Sequence, residues 1–213
     1  MLNKFTLTLI CFTFALLFRT SASVAADNET YVFYLHGQII ENAGPRPMHP
    51  EWGLYDYPAI VEALAAQGAT VISEVRARNT NIFEYAGITV SQIEALIARG
   101  VDPSQIIVVG FSKGGVIATQ VSSFLRRPEV RYVLLAACIN WAPRFPHLRL
   151  SGRVLSVIET SDVVANSCRS FADRDDGPVS FSEIEISTGK NHAAFYLPRD
   201  EWLKPVMHWI HND

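Results

Sequence analysis

The residues of this chain best suited to chemistry centre on Ser112, in the run Gly110-Phe111-Ser112-Lys113-Gly114. A serine hydroxyl attacks an acyl carbon only when a base takes its proton, a carboxylate orients that base, and N–H groups receive the developing oxyanion. The G-x-S-x-G spacing presents such a serine when a strand precedes it and a helix follows. For the base the sequence offers His36, His192, His208 and His211, and for the carboxylate Glu159, Asp162, Asp173, Asp175 and Asp176. No metal-ligand spacing and no phosphate-cradling loop occurs, so the pattern calls for neither metal nor cofactor.

The flanks of Ser112 meet the motif's requirement. Ile106, Ile107, Val108 and Val109 are β-branched, lie between Asp102-Pro103-Ser104 and Gly110, and read as a strand buried on both faces. Beyond the turn, Val116/Ile117, Gln120/Val121 and Phe124/Leu125 recur at helical spacing, with Ser122, Ser123, Arg126 and Arg127 largely between them. Passing from strand to helix within a residue or two strains the serine's backbone and demands small neighbours, which Gly110, Gly114 and Gly115 provide. The hydroxyl then stands at the carboxyl end of the sheet, near a helix amino end that favours negative charge.

Residues 1–26 have the layout of a secretory signal peptide: Lys4, an apolar core over residues 5–18, and small residues ending Ser23-Val24-Ala25-Ala26. The core is short for a membrane span, although Arg19 near its end leaves an uncleaved anchor as the alternative; on cleavage Cys11 leaves with the peptide. The expectation is an exported protein, periplasmic or secreted, with one domain at 27–213 and no stable membrane insertion after cleavage. With 18 Lys and Arg against 21 Asp and Glu, nothing in the charge balance favours nucleic acid or anionic membrane as a partner.

Tyr31 to Leu35 reads as the first strand of that domain, ending at His36-Gly37. Residues 40–56 follow as a long loop whose His49, Trp52 and Tyr55 either touch substrate or pack on one another. Pro58 opens a helix through Ile60, Val61 and Leu64 that stops at Gly68, and Ala69 to Val75 gives the second strand. Arg76 and Arg78, at the carboxyl end of that strand, either hold a substrate carboxylate or stand as a solvated pair. A capping box at Thr89 or Ser91 predicts the start of a helix carrying Val90, Ile93, Leu96 and Ile97 and ending at Gly100. After the Ser112 unit, strands are expected over Val130–Ala137, Arg153–Ile158 and Phe181–Ile186. The last helix carries the stripe Trp202, Leu203, Val206, Met207 and Ile210, with His208 and His211 off it. The alternation predicts an α/β fold: a doubly wound, mainly parallel six-stranded sheet with helices on both faces.

With these elements in place the chain resembles the α/β-hydrolase family. The resemblance lies in the elbow around Ser112, the His36-Gly37 pair after the first strand, the loop Glu159-Thr160-Ser161-Asp162-Val163-Val164, and Asn191-His192 before the last helix. It implies Ser112 as nucleophile, Asp162 as acid and His192 as base, since the family's triad places the base last. It also implies an oxyanion hole from the backbone N–H groups of Lys113 and Gln38, with His36 orienting that loop or touching substrate. Glu159 stands where a glycine is common in the family, and the Lys113 side chain has no role in this reading. Relative to the family's usual sheet the first two strands are absent, which implies a strand order of 2-1-3-4-5-6. The short connection from Cys138 to Arg153 leaves no room for an inserted cap, so the site should be open. The implied activity is hydrolysis of an ester or related acyl bond in a small-molecule acyl substrate, through an acyl-enzyme. A binding protein that kept the fold, or an acyltransferase or peptidase using the same residues, is the alternative.

Of the three cysteines, Cys138 and Cys168 remain after signal removal, in a compartment where disulfides persist. They lie at the same end of strands expected to be neighbours, so a disulfide between them is expected; two buried free thiols are the alternative.

Overall fold

The computed structural model describes residues 29–66, 68–138 and 145–212, so the signal-peptide reading of residues 1–26 lies outside the described residues. In chain order the strands are β1 (Tyr31–Leu35), β2 (Met48–His49), β3 (Gly53–Leu54), β4 (Thr70–Ile72), β5 (Ile106–Phe111), β6 (Arg131–Leu135), β7 (Arg153–Glu159) and β8 (Ser180–Ile186). Strands β2 and β3 form a small antiparallel hairpin. The other six pair in parallel throughout, in the order β4-β1-β5-β6-β7-β8. Counted among the six, that is the expected order 2-1-3-4-5-6. The helices are α1 (Gln38–Ala43), α2 (Tyr57–Ala65), α3 (Ile82–Ala98), α4 (Lys113–Leu125), α5 (Arg169–Ala172) and α6 (Asp200–Asn212).

Strand alternation sorts the core into two layers. Val32, Tyr34, Ile107 and Val109 pack with Ile60 and Leu64 of α2 and Trp202, Val206 and Ile210 of α6. Phe33, Leu35, Ile106 and Val108 point the other way, onto Ile93 and Leu96 of α3 and Ile117 and Val121 of α4. Each such fully buried aliphatic side chain contributes roughly 1.5–3 kcal/mol. Strand β5 is buried at every position, as a central strand covered on both faces must be. Among the described residues no helix is long and apolar enough to cross a membrane.

Three local readings of the sequence need correction. Helix α3 starts at Ile82, capped by the Asn81 side chain, which accepts from the N–H groups of Phe83 and Glu84. Thr89 and Ser91, read as caps, lie inside that helix and bond back to the carbonyls of Tyr85 and Gly87, one turn earlier. The stretch at 40–56 is less irregular than its prolines suggested, because it holds the end of α1 and the β2–β3 hairpin. Strand β4 stops at Ile72, short of the expected Val75.

Cys138 follows β6 and Cys168 precedes α5, with their sulfurs at disulfide distance and their Cα atoms 5.2 Å apart. A bridge closing this separation of 30 residues would stabilise the fold by roughly 3–4 kcal/mol in the chain-entropy model. It would also hold the segment that follows β7, whose Asn166 N–H donates to the Cys138 carbonyl. Mature protein unfolded without reductant should therefore leave both cysteines unmodified by a thiol reagent. Two modified cysteines per chain would exclude the bridge.

Candidate active site

Ser112 sits between β5 and α4 with φ 53° and ψ −119°, a conformation that side-chain-bearing residues adopt only under constraint. The constraint is visible in its neighbours. A Cβ on Gly110 would run into the Gly114 carbonyl and Gly115, and one on Gly114 would collide with the Leu35 carbonyl oxygen at the end of β1. Strand and helix thus approach within backbone contact, and the Ser112 N–H is held by the Leu135 carbonyl of β6 at 3.0 Å. Lys113 is the first residue of α4 and Gln38 the first of α1, so the backbone N–H of each has no partner within its helix. Gln38 and Ser112 line one cavity of about 310 Å³.

His192 lies on the same cavity wall, in a 3₁₀ turn at Asn191–Phe195. Its Nδ1 meets Oδ2 of Asp162 at 2.7 Å, with both side chains buried. Asp162 is fixed in turn, its Oδ1 accepting from the N–H groups of Val164 at 2.7 Å and Ala165 at 3.2 Å. With Nδ1–H committed to the carboxylate, the lone pair of His192 stands on Nε2, the nitrogen a general base needs. Ser112 and His192 share the cavity, but among the described residues no hydrogen bond joins their side chains. Catalytic contacts often close only once substrate is bound.

Of the competing carboxylates, Glu159 turns out to brace the loops on which Asp162 and His192 sit. Buried at the end of β7, it accepts from the N–H and hydroxyl of Ser161, the N–H and hydroxyl of Thr188, and the N–H of Gly189. Burial raises its pKa, but the hydrogen bonds from Thr188 and Ser161 outweigh that and hold it below the usual carboxylate value. Ser161 Oγ accepts from the Asn191 N–H, while the Asn191 side chain accepts from the N–H groups of Val163 and His192. The loops that carry Asp162 and His192 are thus stapled together, an arrangement the sequence does not reveal because the partners of Glu159 lie up to 30 residues away.

The cavity wall is largely aromatic. His49 and Trp52 stack at 4.5 Å between ring centres, and Trp52 and Phe111 lie 5.8 Å and 4.9 Å from the His192 ring. Tyr55 does not take part: it is fully buried, with its hydroxyl against those of Tyr34 at 2.8 Å and the Gly37 N–H at 3.3 Å.

None of the three candidate substrate contacts, His36, Arg76 and Arg78, is among the residues that line this cavity. His36 is fully buried, its Nδ1–H donating to the Gly37 carbonyl and its Nε2 accepting from the Arg76 N–H at 3.0 Å. Burial, and then the Arg76 guanidinium, pushes its pKa down to about 3, so it is neutral and holds two loops together. Arg76 is neither solvated nor exposed to substrate, because its side chain is buried against Glu41. Arg78 is exposed and donates at 2.7 Å to the carbonyl of Asn42, a residue of the cavity wall, without itself lining the cavity. The side chain of Lys113 also reaches Glu41, at 2.5 Å.

No family model matches the chain, and no curated protein matches it in sequence. Solved structures match its fold. SOBER1 of Arabidopsis thaliana is 12% identical, with a TM-score of 0.55 over 85% of this chain and 97% of that one. An arylesterase is 18% identical, with a TM-score of 0.58 over 85% and 75%. Est1E from Butyrivibrio proteoclasticus, solved with ferulic acid bound, is 13% identical, with a TM-score of 0.54 over 85% and 86%. At such identities the likeness is one of fold.

Proposed function

We propose, on the premise that this chain has an α/β-hydrolase fold, that it is an exported serine hydrolase cleaving an ester or related acyl bond of a small molecule. The observation that carries the reading is the 2.7 Å contact of His192 with Asp162 on the wall of the cavity that holds the strained Ser112. The names of the structural neighbours, an arylesterase among them, support the same chemistry. In the reading, His192 Nε2 takes the Ser112 proton as Oγ attacks the acyl carbon. The Gln38 and Lys113 N–H groups receive the oxyanion, and Asp162 stabilises the imidazolium. The imidazolium then protonates the departing alcohol, leaving an acyl-enzyme that water, activated by the same His192, hydrolyses. Export is supported by the signal-like layout of residues 1–26 and by the Cys138–Cys168 pair at disulfide distance.

A cavity of about 310 Å³ encloses a small acyl group rather than a long chain. Short p-nitrophenyl esters, acetate through butyrate, should be turned over by monomeric substrate in solution. Absence of turnover across that series, or a rate that jumps only when long-chain triglyceride forms an emulsion, would contradict the reading.

A further inference from the structure

Glu41 and Lys113 are 72 positions apart in sequence, yet Lys113 Nζ lies 2.5 Å from Glu41 Oε2. The second carboxylate oxygen, Oε1, accepts from Arg76 Nε at 2.9 Å, and the Glu41 side chain has no exposed surface. Arg76 is itself anchored: Nη2 donates to the His36 carbonyl, the backbone N–H donates to His36 Nε2, and the guanidinium lies 5.4 Å over the Tyr85 ring. Burying three ions carries a heavy desolvation penalty, and well-packed apolar side chains of similar volume are often as stable. Fold stability alone is therefore a weak reason for the cluster.

Its position supplies a stronger one. Glu41 belongs to α1, whose first residue is Gln38, and Lys113 is the first residue of α4, next to Ser112. Helix α1 has six residues and no side-chain cap at its start, too little to hold itself in place. The Glu41–Lys113 pair is an ionic tie between the two elements that carry the backbone donors.

From this juxtaposition we propose that Glu41, anchored by Arg76, is a positioning residue for the oxyanion hole, fixing through Lys113 the spacing between the Gln38 and Lys113 N–H groups. The proposal rests on the serine-hydrolase reading above. An oxyanion donor works only within a few tenths of an ångström of its place, and deleting one outright costs about 10²–10³ in kcat. Loosening the tie should cost less than deletion, about 10–100-fold.

Lys113→Met is the first test, because Glu41 then keeps Arg76 and no buried charge is stranded. With p-nitrophenyl acetate, kcat should fall about 10–100-fold while KM stays within about threefold, and Lys113→Arg should restore most of the loss. Affinity for phenylboronic acid, whose tetrahedral adduct with Ser112 would occupy the oxyanion hole, should fall in parallel. Glu41→Gln separates the tie from the mere positive charge of Lys113: it keeps the charge, weakens the tie, and should lose kcat as Lys113→Met does. Wild-type kcat in Lys113→Met, or in a folded Glu41→Gln, overturns the proposal while an active wild type leaves the hydrolase reading standing. If Glu41→Gln does not fold, the Lys113→Met and Lys113→Arg pair decides alone. Wild-type protein inert to esters and to active-serine probes overturns both.

Discussion

Replacing Ser112 with alanine should abolish ester turnover, by on the order of a millionfold in kcat, without unfolding the protein. The large factor follows because every covalent step runs through Oγ, and His192 and the oxyanion donors left behind recover only a small part of the rate. Stability should change little. The positive φ at Ser112 is imposed by backbone contact among Gly110, Gly114 and Leu35, and an alanine there experiences the same constraint as the serine. Purified Ser112→Ala protein should melt within a few degrees of wild type, and its residual rate with p-nitrophenyl butyrate should exceed the buffer background by no more than about a thousandfold. A mutant retaining more than about one percent of wild-type activity would show that another residue is the nucleophile.

Asp162→Asn should cost on the order of 10⁴ in kcat although the side chain keeps its shape. The geometry gives the reason. Asp162 Oδ1 accepts from two backbone N–H groups, those of Val164 and Ala165, so the amide oxygen of an asparagine must take that place. The amide NH₂ then faces His192 Nδ1 and donates to it. That hydrogen bond selects the tautomer with the proton on Nε2, which cannot accept the Ser112 proton. Steady-state rates on a short ester check this, with ¹⁵N chemical shifts of the His192 ring as an independent readout of the tautomer. A loss below tenfold would mean that Glu159 or another carboxylate orients the base.

The elbow and most strands were legible because their signals are local. Four β-branched residues followed by closely spaced glycines specify β5, the turn and α4 with little help from the rest of the chain. What escaped depends on partners far away in sequence. Nothing local pairs Glu41 with Arg76 and Lys113, which reach it from 35 and 72 positions off. In sequence Arg76 is indistinguishable from any arginine after a strand, because its buried carboxylate partner comes from a different element. In sequence Glu159 is one of several carboxylates that compete with Asp162, and only the fold shows Thr188 and Gly189 turned toward it. The start of α3 is not legible for a different reason: Thr89 and Ser91 carry hydroxyls that cap helices in some settings and bond the preceding turn in others, and sequence does not separate the two.

The central claim, that Ser112 is an activated nucleophile, is tested most directly by treating the native mature protein with a fluorophosphonate and locating the adduct by peptide mass spectrometry. The account predicts a single phosphonyl adduct on the peptide containing Ser112, formed by native protein and lost after unfolding or in the His192→Ala variant. No adduct at Ser112, or an adduct on a different residue, would contradict it.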